Sequence, residues 1–174
     1  DDVLEELLEG SSFDNDNNLI LFSAQPNANG DRSICKFDSD GEIPTNKLIQ
    51  LGDYGLFYRS GPYPFAIDSE NNMYLGYGDY SIDGTNTNNG NIILKFNDNG
   101  DILNEISLQE YDLRLSLDMS MGGLVIDSEN NIFTFADNYD SSNHNIPPEL
   151  FLVKISNTGE LLSSVKNDRN LFDG

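Results

Sequence analysis

The sequence is poor in the residues that most often carry chemistry. Its 174 residues include one cysteine, Cys35, one histidine, His144, and no tryptophan. A lone cysteine excludes an intrachain disulfide, and with one histidine it cannot furnish a structural zinc cluster. The redox compartment is therefore unreadable. Cations are scarce as well. Nine Lys and Arg stand against 30 Asp and Glu, for a net charge of −21 and a pI near 4.1. A surface this acidic repels phosphate backbones and anionic lipid, so neither nucleic acid nor a membrane is expected as a partner. The charge serves either solubility in a salty medium or a cation-rich partner. No apolar run approaches the ~18 residues of a spanning helix, so no membrane insertion is expected. Asparagine is abundant, yet no Asn-x-Ser/Thr sequon occurs. No Gly-x-Ser-x-Gly elbow, phosphate loop or paired-cysteine motif is present, and no catalytic residue stands out. The chain opens at Asp1, as expected of a processed or an excised chain, and no signal-peptide pattern chooses between them.

What is present is a repeat. Ile67-Asp68-Ser69-Glu70-Asn71-Asn72 returns unchanged as Ile126-Asp127-Ser128-Glu129-Asn130-Asn131, 59 residues later. Leu94-Lys95-Phe96-Asn97-Asp98-Asn99-Gly100 returns as Val153-Lys154-Ile155-Ser156-Asn157-Thr158-Gly159 at the same offset. Cys35 to Gly41 is an earlier copy of that second motif, and Phe13 to Asn18 is a degenerate copy of the first. Two motifs with one offset define an internal repeat. The expected units are an N-terminal segment 1–12 and repeats over 13–60, 61–119 and 120–174. Residues 1–10 fit either a helix or the outer strand of an earlier repeat. The helix is preferred, because few residues separate Leu8 from the next strand.

Each repeat reads as four short strands. The second places them near Pro64–Ile67, Met73–Tyr77, Asn91–Phe96 and Ile102–Leu108. The third places them near Gly123–Ile126, Ile132–Ala136, Leu150–Ile155 and Leu161–Lys166. The first gives Leu19–Phe22, Ser33–Phe37 and a strand within Glu42–Leu51 broken by Pro44. Apolar runs such as Ile92-Ile93-Leu94 and Leu150-Phe151-Leu152-Val153 belong to sheets buried on both faces. Asp68 to Asn71 and Asp127 to Asn130 suit tight turns in which asparagine takes the left-handed conformation and aspartate bonds the turn backbone. Gly100 and Gly159 do the same at residues 97–100 and 156–159. Lys36, Lys95 and Lys154 recur beside Asp14, Asp68 and Asp127, either as ion pairs at strand ends or as a solvated face.

Four-stranded repeats with two tight hairpins read as propeller blades. The stretch Ile67 to Tyr74 followed by Leu94 to Leu103 resembles the bacterial β-propeller repeat related to NHL-type blades. That family shows Asp-x-x-Gly-Asn before an aromatic-containing strand, then a Lys-apolar pair and an Asn/Asp-x-x-Gly hairpin. Asn17, Asn71 and Asn130 stand where its glycine would be. The resemblance covers about Phe13 to Lys166 and implies an all-β fold of three four-stranded antiparallel blades. The alternative is a β-trefoil, which also uses three four-stranded repeats. Three blades do not close a ring, since propellers have about 4 to 8. Further blades are expected from a longer chain or from a homo-oligomer.

The irregular sequence falls between the second and third strands and between repeats: residues 25–32, 52–61, 78–90, 109–121 and 137–149. Long loops on a rigid scaffold are where function collects. Their candidate contact residues are Tyr54, Tyr58, Arg59, Tyr80, Tyr111, Arg114, Tyr139 and His144. Tyr80 and Tyr139 are also 59 apart, so they serve either packing between repeats or contact. His144, flanked by asparagines before Pro147-Pro148, reads as an exposed loop residue. Asp79, Ser81 and Asp83 with Gly84 match the first half of a calcium loop, while Thr87 and Gly90 break the second half. That segment is either a calcium site or a solvated loop, and no other cofactor is expected. The expected function is a non-catalytic binding or scaffolding module of a secreted, cell-surface or virion-associated protein, contacting protein or glycan. The alternative is a propeller-type hydrolase or lyase using loop carboxylates.

Overall fold

The structure, a computed structural model, describes residues 8–23, 32–42, 45–49, 64–77, 92–115, 123–138 and 149–167. Most of these residues are strand, and the rest are turns with one 3-10 turn. They form three antiparallel sheets in the order of the chain. The first contains β1 (Leu8–Phe13), β2 (Leu19–Ser23), β3 (Arg32–Phe37) and β4 (Thr45–Ile49). The second contains β5 (Phe65–Ile67), β6 (Met73–Tyr77), β7 (Ile92–Phe96) and β8 (Ile102–Ile106). The third contains β10 (Val125–Ile126), β11 (Ile132–Asp137), β12 (Leu150–Ile155) and β13 (Leu161–Lys166). A short extra strand, β9 (Arg114–Leu115), also pairs with β11, through Ala136 and Asp137. Each sheet is a meander, and among the described residues no strand pairs outside its own sheet, as the barrel of a β-trefoil would require.

One boundary differs from the sequence reading. Leu8, Glu9 and Gly10 are not helical. They begin β1, which pairs with β2 from Leu8↔Ser23 to Phe13↔Leu19. The first sheet therefore starts upstream of Phe13. Its opening strand is hard to see because Ser11 and Ser12 stand where the second sheet has Phe65 and Ala66. Residues 1–7 lie outside the described residues.

The two turn motifs work as their residues dictate. Asn17, Asn71 and Asn130 adopt φ of 62°, 64° and 64°, and Gly41, Gly100 and Gly159 adopt 80°, 83° and 101°. In each case the residue that opens the turn holds it from its side chain. Asp68 Oδ1 accepts from the Glu70 and Asn72 N–H groups, both at 2.9 Å. Asn97 Oδ1 accepts from Asn99 and Asp101, and Ser156 Oγ from Thr158 and Glu160. The glycine turns leave one extra residue in the ladder, seen as the register shifts at Lys95/Phe96 and Lys154/Ile155.

The sheets stack face to face. Ile20, Phe22 and Ile34 of the first pack against Met73, Leu75, Leu94 and Phe96 of the second. Tyr74, Ile93 and Ile106, on the other face of the second sheet, pack against Ile132, Ala136, Val153 and Ile155 of the third. Neighbouring residues Ile93 and Leu94 thus point into different cores, which is why Ile92-Ile93-Leu94 is a continuous apolar run. The opening strands β1, β5 and β10 lie against one another along one side of the stack.

Candidate functional site

The most elaborate polar constellation sits where the first turn of each sheet meets the third strand. Asp68 is buried. Besides its two backbone donors, it accepts from Asn72 Nδ2 at 2.9 Å and from the Tyr74 hydroxyl at 3.0 Å, both on Oδ2. Lys95 Nζ lies 3.5 Å from the same oxygen and 5.1 Å from the Tyr74 ring centroid. Burial alone would push the Asp68 carboxyl up. The Asn72, Glu70 and Tyr74 hydrogen bonds outweigh it and hold the group below its ordinary value. Burial, together with the adjacent Asp68 charge and hydrogen bond, pushes the Tyr74 phenol far up. A carboxylate so fully supplied with donors is held ionised and has no lone pair directed at a substrate.

The other sheets repeat the arrangement. Asp14 takes the Asp16 and Asn18 N–H groups, the Asn18 amide and Lys36 Nζ at 2.6 Å. Burial would raise its carboxyl, and Lys36 with Asn18 pulls it down instead. Asp127 takes Glu129, Asn131 and Lys154 Nζ at 3.2 Å, and Lys154 lies 5.3 Å from the Phe133 ring centroid. Here desolvation is again overcome, by Asn131, Lys154 and Glu129, and the carboxyl is held at about 2. The recurring Lys and Asp are therefore ion pairs, one of the two readings open in the sequence.

The turn tips are also stitched to one another. The Asn15 N–H and Nδ2 donate to Asn71 Oδ1 at 3.0 and 2.8 Å, and Asn15 Nδ2 donates to the Asp68 carbonyl. One sheet on, the Ser69 N–H and Oγ donate to Asn130 Oδ1 at 3.1 and 2.9 Å. In both seams the second residue of one turn meets the left-handed asparagine of the next. Nothing in the sequence marks Asn15 and Ser69 as partners of Asn71 and Asn130. Only the 3D stacking brings them together.

Two of the sequence-derived contact residues are described. Tyr111 lies in a 3-10 turn, Gln109–Tyr111, packs against the core between the second and third sheets, and accepts a hydrogen bond from the Leu161 N–H at 3.3 Å. Arg114 opens β9, and its Nε donates to Asp137 Oδ1 at 2.6 Å, tying β9 to the end of β11. Both residues are engaged with their own chain. Tyr111 also borders an open groove of about 520 Å³ lined by Glu105, Gln109, Glu110, Thr158 and Glu160 among others. The groove lies between β8 and the β12–β13 turn, where Asn104 Nδ2 donates to the Thr158 carbonyl. It is acidic, and could take a polyhydroxyl or cationic group.

Tyr54, Tyr58, Arg59, Tyr80, Tyr139 and His144 lie outside the described residues, as do Asp79, Ser81 and Asp83. Among the described residues no three His, Cys, Asp or Glu side chains cluster to hold a metal ion. The chain matches no model of a known protein family, and no curated protein matches it.

Proposed function

We propose that the three sheets are blades of a β-propeller and that the chain is a non-catalytic binding or scaffolding module of a secreted, cell-surface or virion-associated protein. The observation that carries this reading is the stacking of three like-built meanders with their opening strands side by side, which is how blades surround an axis. The repeat resembling NHL-type blades supports it. So do the polar clusters, which serve the turns and sheets rather than a reactant. In this arrangement every tight turn lies at one end of the blades. At the opposite end the described strands lead into the long segments whose sequence includes Tyr54, Tyr58, Arg59, Tyr80, Tyr139 and His144. Aromatic and arginine side chains there suit contact with protein or glycan.

Glycan and protein arrays probed with the chain test the reading. Binding that is lost in Tyr80→Ala and Tyr139→Ala supports it. If loop variants bind unchanged, while Glu105→Gln, Glu110→Gln or a loop-carboxylate change abolishes turnover of some substrate, a hydrolase or lyase replaces it.

A further inference from the structure

The two ends of the stack differ from its middle in one respect: each shows a face that the repeat elsewhere buries. Val125, Leu152 and Val165 of the third sheet are 62%, 43% and 63% exposed. Ala66, Ile93 and Ile106 hold the same places 59 residues earlier, beneath the third sheet, and are 8%, 0% and 1% exposed. Leu103 and Leu162, also 59 apart, are both exposed, so the difference is confined to positions that meet the next sheet. At the other end Phe13 is 67% exposed and Leu19, Cys35 and Phe37 beside it are half-buried, while Leu21 at the centre of that face is buried. Their counterparts Met73, Leu94 and Phe96 lie in the core against the first sheet.

The turn seam is unfinished at the same two ends. The donor position filled by Asn15 and Ser69 is occupied in the third sheet by Ser128, and the acceptor position filled by Asn71 and Asn130 is occupied in the first by Asn17. Among the described residues neither the Ser128 hydroxyl nor the Asn17 amide has a partner, and Asn17 already holds the left-handed backbone of its counterparts, at φ 62°. One end thus lacks an acceptor and a covering sheet, and the other lacks the donor and the sheet it should cover.

We infer that the open face of the third sheet docks on the open face of the first sheet of a second copy of this chain, with Ser128 donating to the partner copy's Asn17. The contact continues the two internal interfaces, which already pair these two kinds of face. It is heterologous, and repeating it once closes a two-fold pair of six sheets. Closure rests on the propeller reading above. Propellers hold about 4 to 8 blades, and six is the only multiple of three in that range.

Sedimentation of the 174-residue chain across a concentration series tests this. The expected mass is a constant twice the 19.4 kDa of one chain. Val165→Glu and Phe13→Glu each place carboxylates in both contacts and should give monomers with unchanged circular dichroism, since both sites are exposed in one chain. Mixing the two variants leaves one contact intact and should restore a dimer. Asn17→Gly, which keeps the backbone but removes the acceptor, should weaken the pair by about tenfold. Cys35, the sole thiol, should react more slowly in the dimer than in the Val165→Glu monomer. A wild-type monomer, or a dimer that survives both glutamate variants, overturns the docking while leaving the propeller reading intact. A mass that climbs steadily with concentration overturns the closed pair and, with it, the propeller geometry.

Discussion

The second and third sheets contain the same six residues, Ile-Asp-Ser-Glu-Asn-Asn, at the same place, yet Asp68 is sealed and Asp127 is not. Within the turn the donors are identical. The difference comes from outside it. Six residues after Asp68 stands Tyr74, whose hydroxyl completes the carboxylate shell and which packs in the core against the third sheet. Six residues after Asp127 stands Phe133, which has no hydroxyl, and among the described residues no further sheet lies over it. The turn motif fixes backbone shape, while the neighbouring sheet decides how much electrostatic work the aspartate does.

The sharpest way to break that comparison is to remove each aspartate. Asp68→Ala strands the Tyr74 hydroxyl, the Asn72 amide and the Lys95 ammonium in a dry site, and should cost about 3 kcal/mol or more. Asp127→Ala leaves its donors in reach of water and should cost clearly less than Asp68→Ala. Urea unfolding of both variants reads the difference. Equal losses would mean that burial by the third sheet does not separate the two sites.

Exchanging the aromatic partners is the next step. Tyr74→Phe makes the second sheet like the third and should lose about 2 kcal/mol, the value of a hydrogen bond to a charged group. Phe133→Tyr adds a hydroxyl beside a carboxylate that water already reaches, and should change stability by less than about 0.5 kcal/mol. A large gain from Phe133→Tyr would show that the missing hydroxyl, and not the missing cover, weakens the Asp127 site.

Much of this was legible in the sequence, and the exceptions have physical causes. The strands from Leu19 onward follow from apolar runs, and the turns follow from residues that tolerate positive φ. The shared spacing of Lys36, Lys95 and Lys154 left an ion pair and a solvated face both open, and the structure shows the ion pairs. β1 was hidden because Ser11 and Ser12 carry no apolar alternation, although the Asp14 turn needed a strand before it. β9 was hidden because two residues make no pattern. Tyr111 and Arg114 read as contact residues because loop aromatics and arginines often are. Their engagement with Leu161 and Asp137 depends on pairings distant in sequence, which no local signal encodes. The apolar run Leu150 to Val153 suggests burial on both faces, and among the described residues one face is packed while Leu152 on the other is 43% exposed.

Acid unfolding sharpens the same contrast. The folded carboxyls of Asp14, Asp68 and Asp127 all lie below their ordinary value of 3.8, with Asp127 at about 2. Their contribution is therefore complete above the unfolded value and is lost as the pH falls through the folded one. Wild type should exceed Asp68→Asn and Asp127→Asn in urea midpoint at pH 7, with both gaps shrinking between about pH 4 and 2. A gap that stays constant down to pH 2 would show that the aspartates act through shape and not through charge.

The smallest effect isolates the seam between turns. Asn130→Gly and Asn17→Gly both keep a left-handed backbone and both loosen the unfolded chain equally. Among the described residues only Asn130→Gly removes an acceptor in use within one chain, the Oδ1 that takes the Ser69 N–H and hydroxyl. Below the concentration at which copies associate, Asn130→Gly should therefore be the less stable of the two by about 0.5 kcal/mol, the low end for an exposed hydrogen bond. Asn130→Ala should lose about 1 kcal/mol more than Asn130→Gly, because a side chain with a Cβ is strained at φ 64°. Thermal melts of the three variants at low chain concentration read both differences. If the two glycine variants melt together, the seam holds the sheets in register without stabilising them, and the contrast between the second and third sheets rests on the aspartate shell alone.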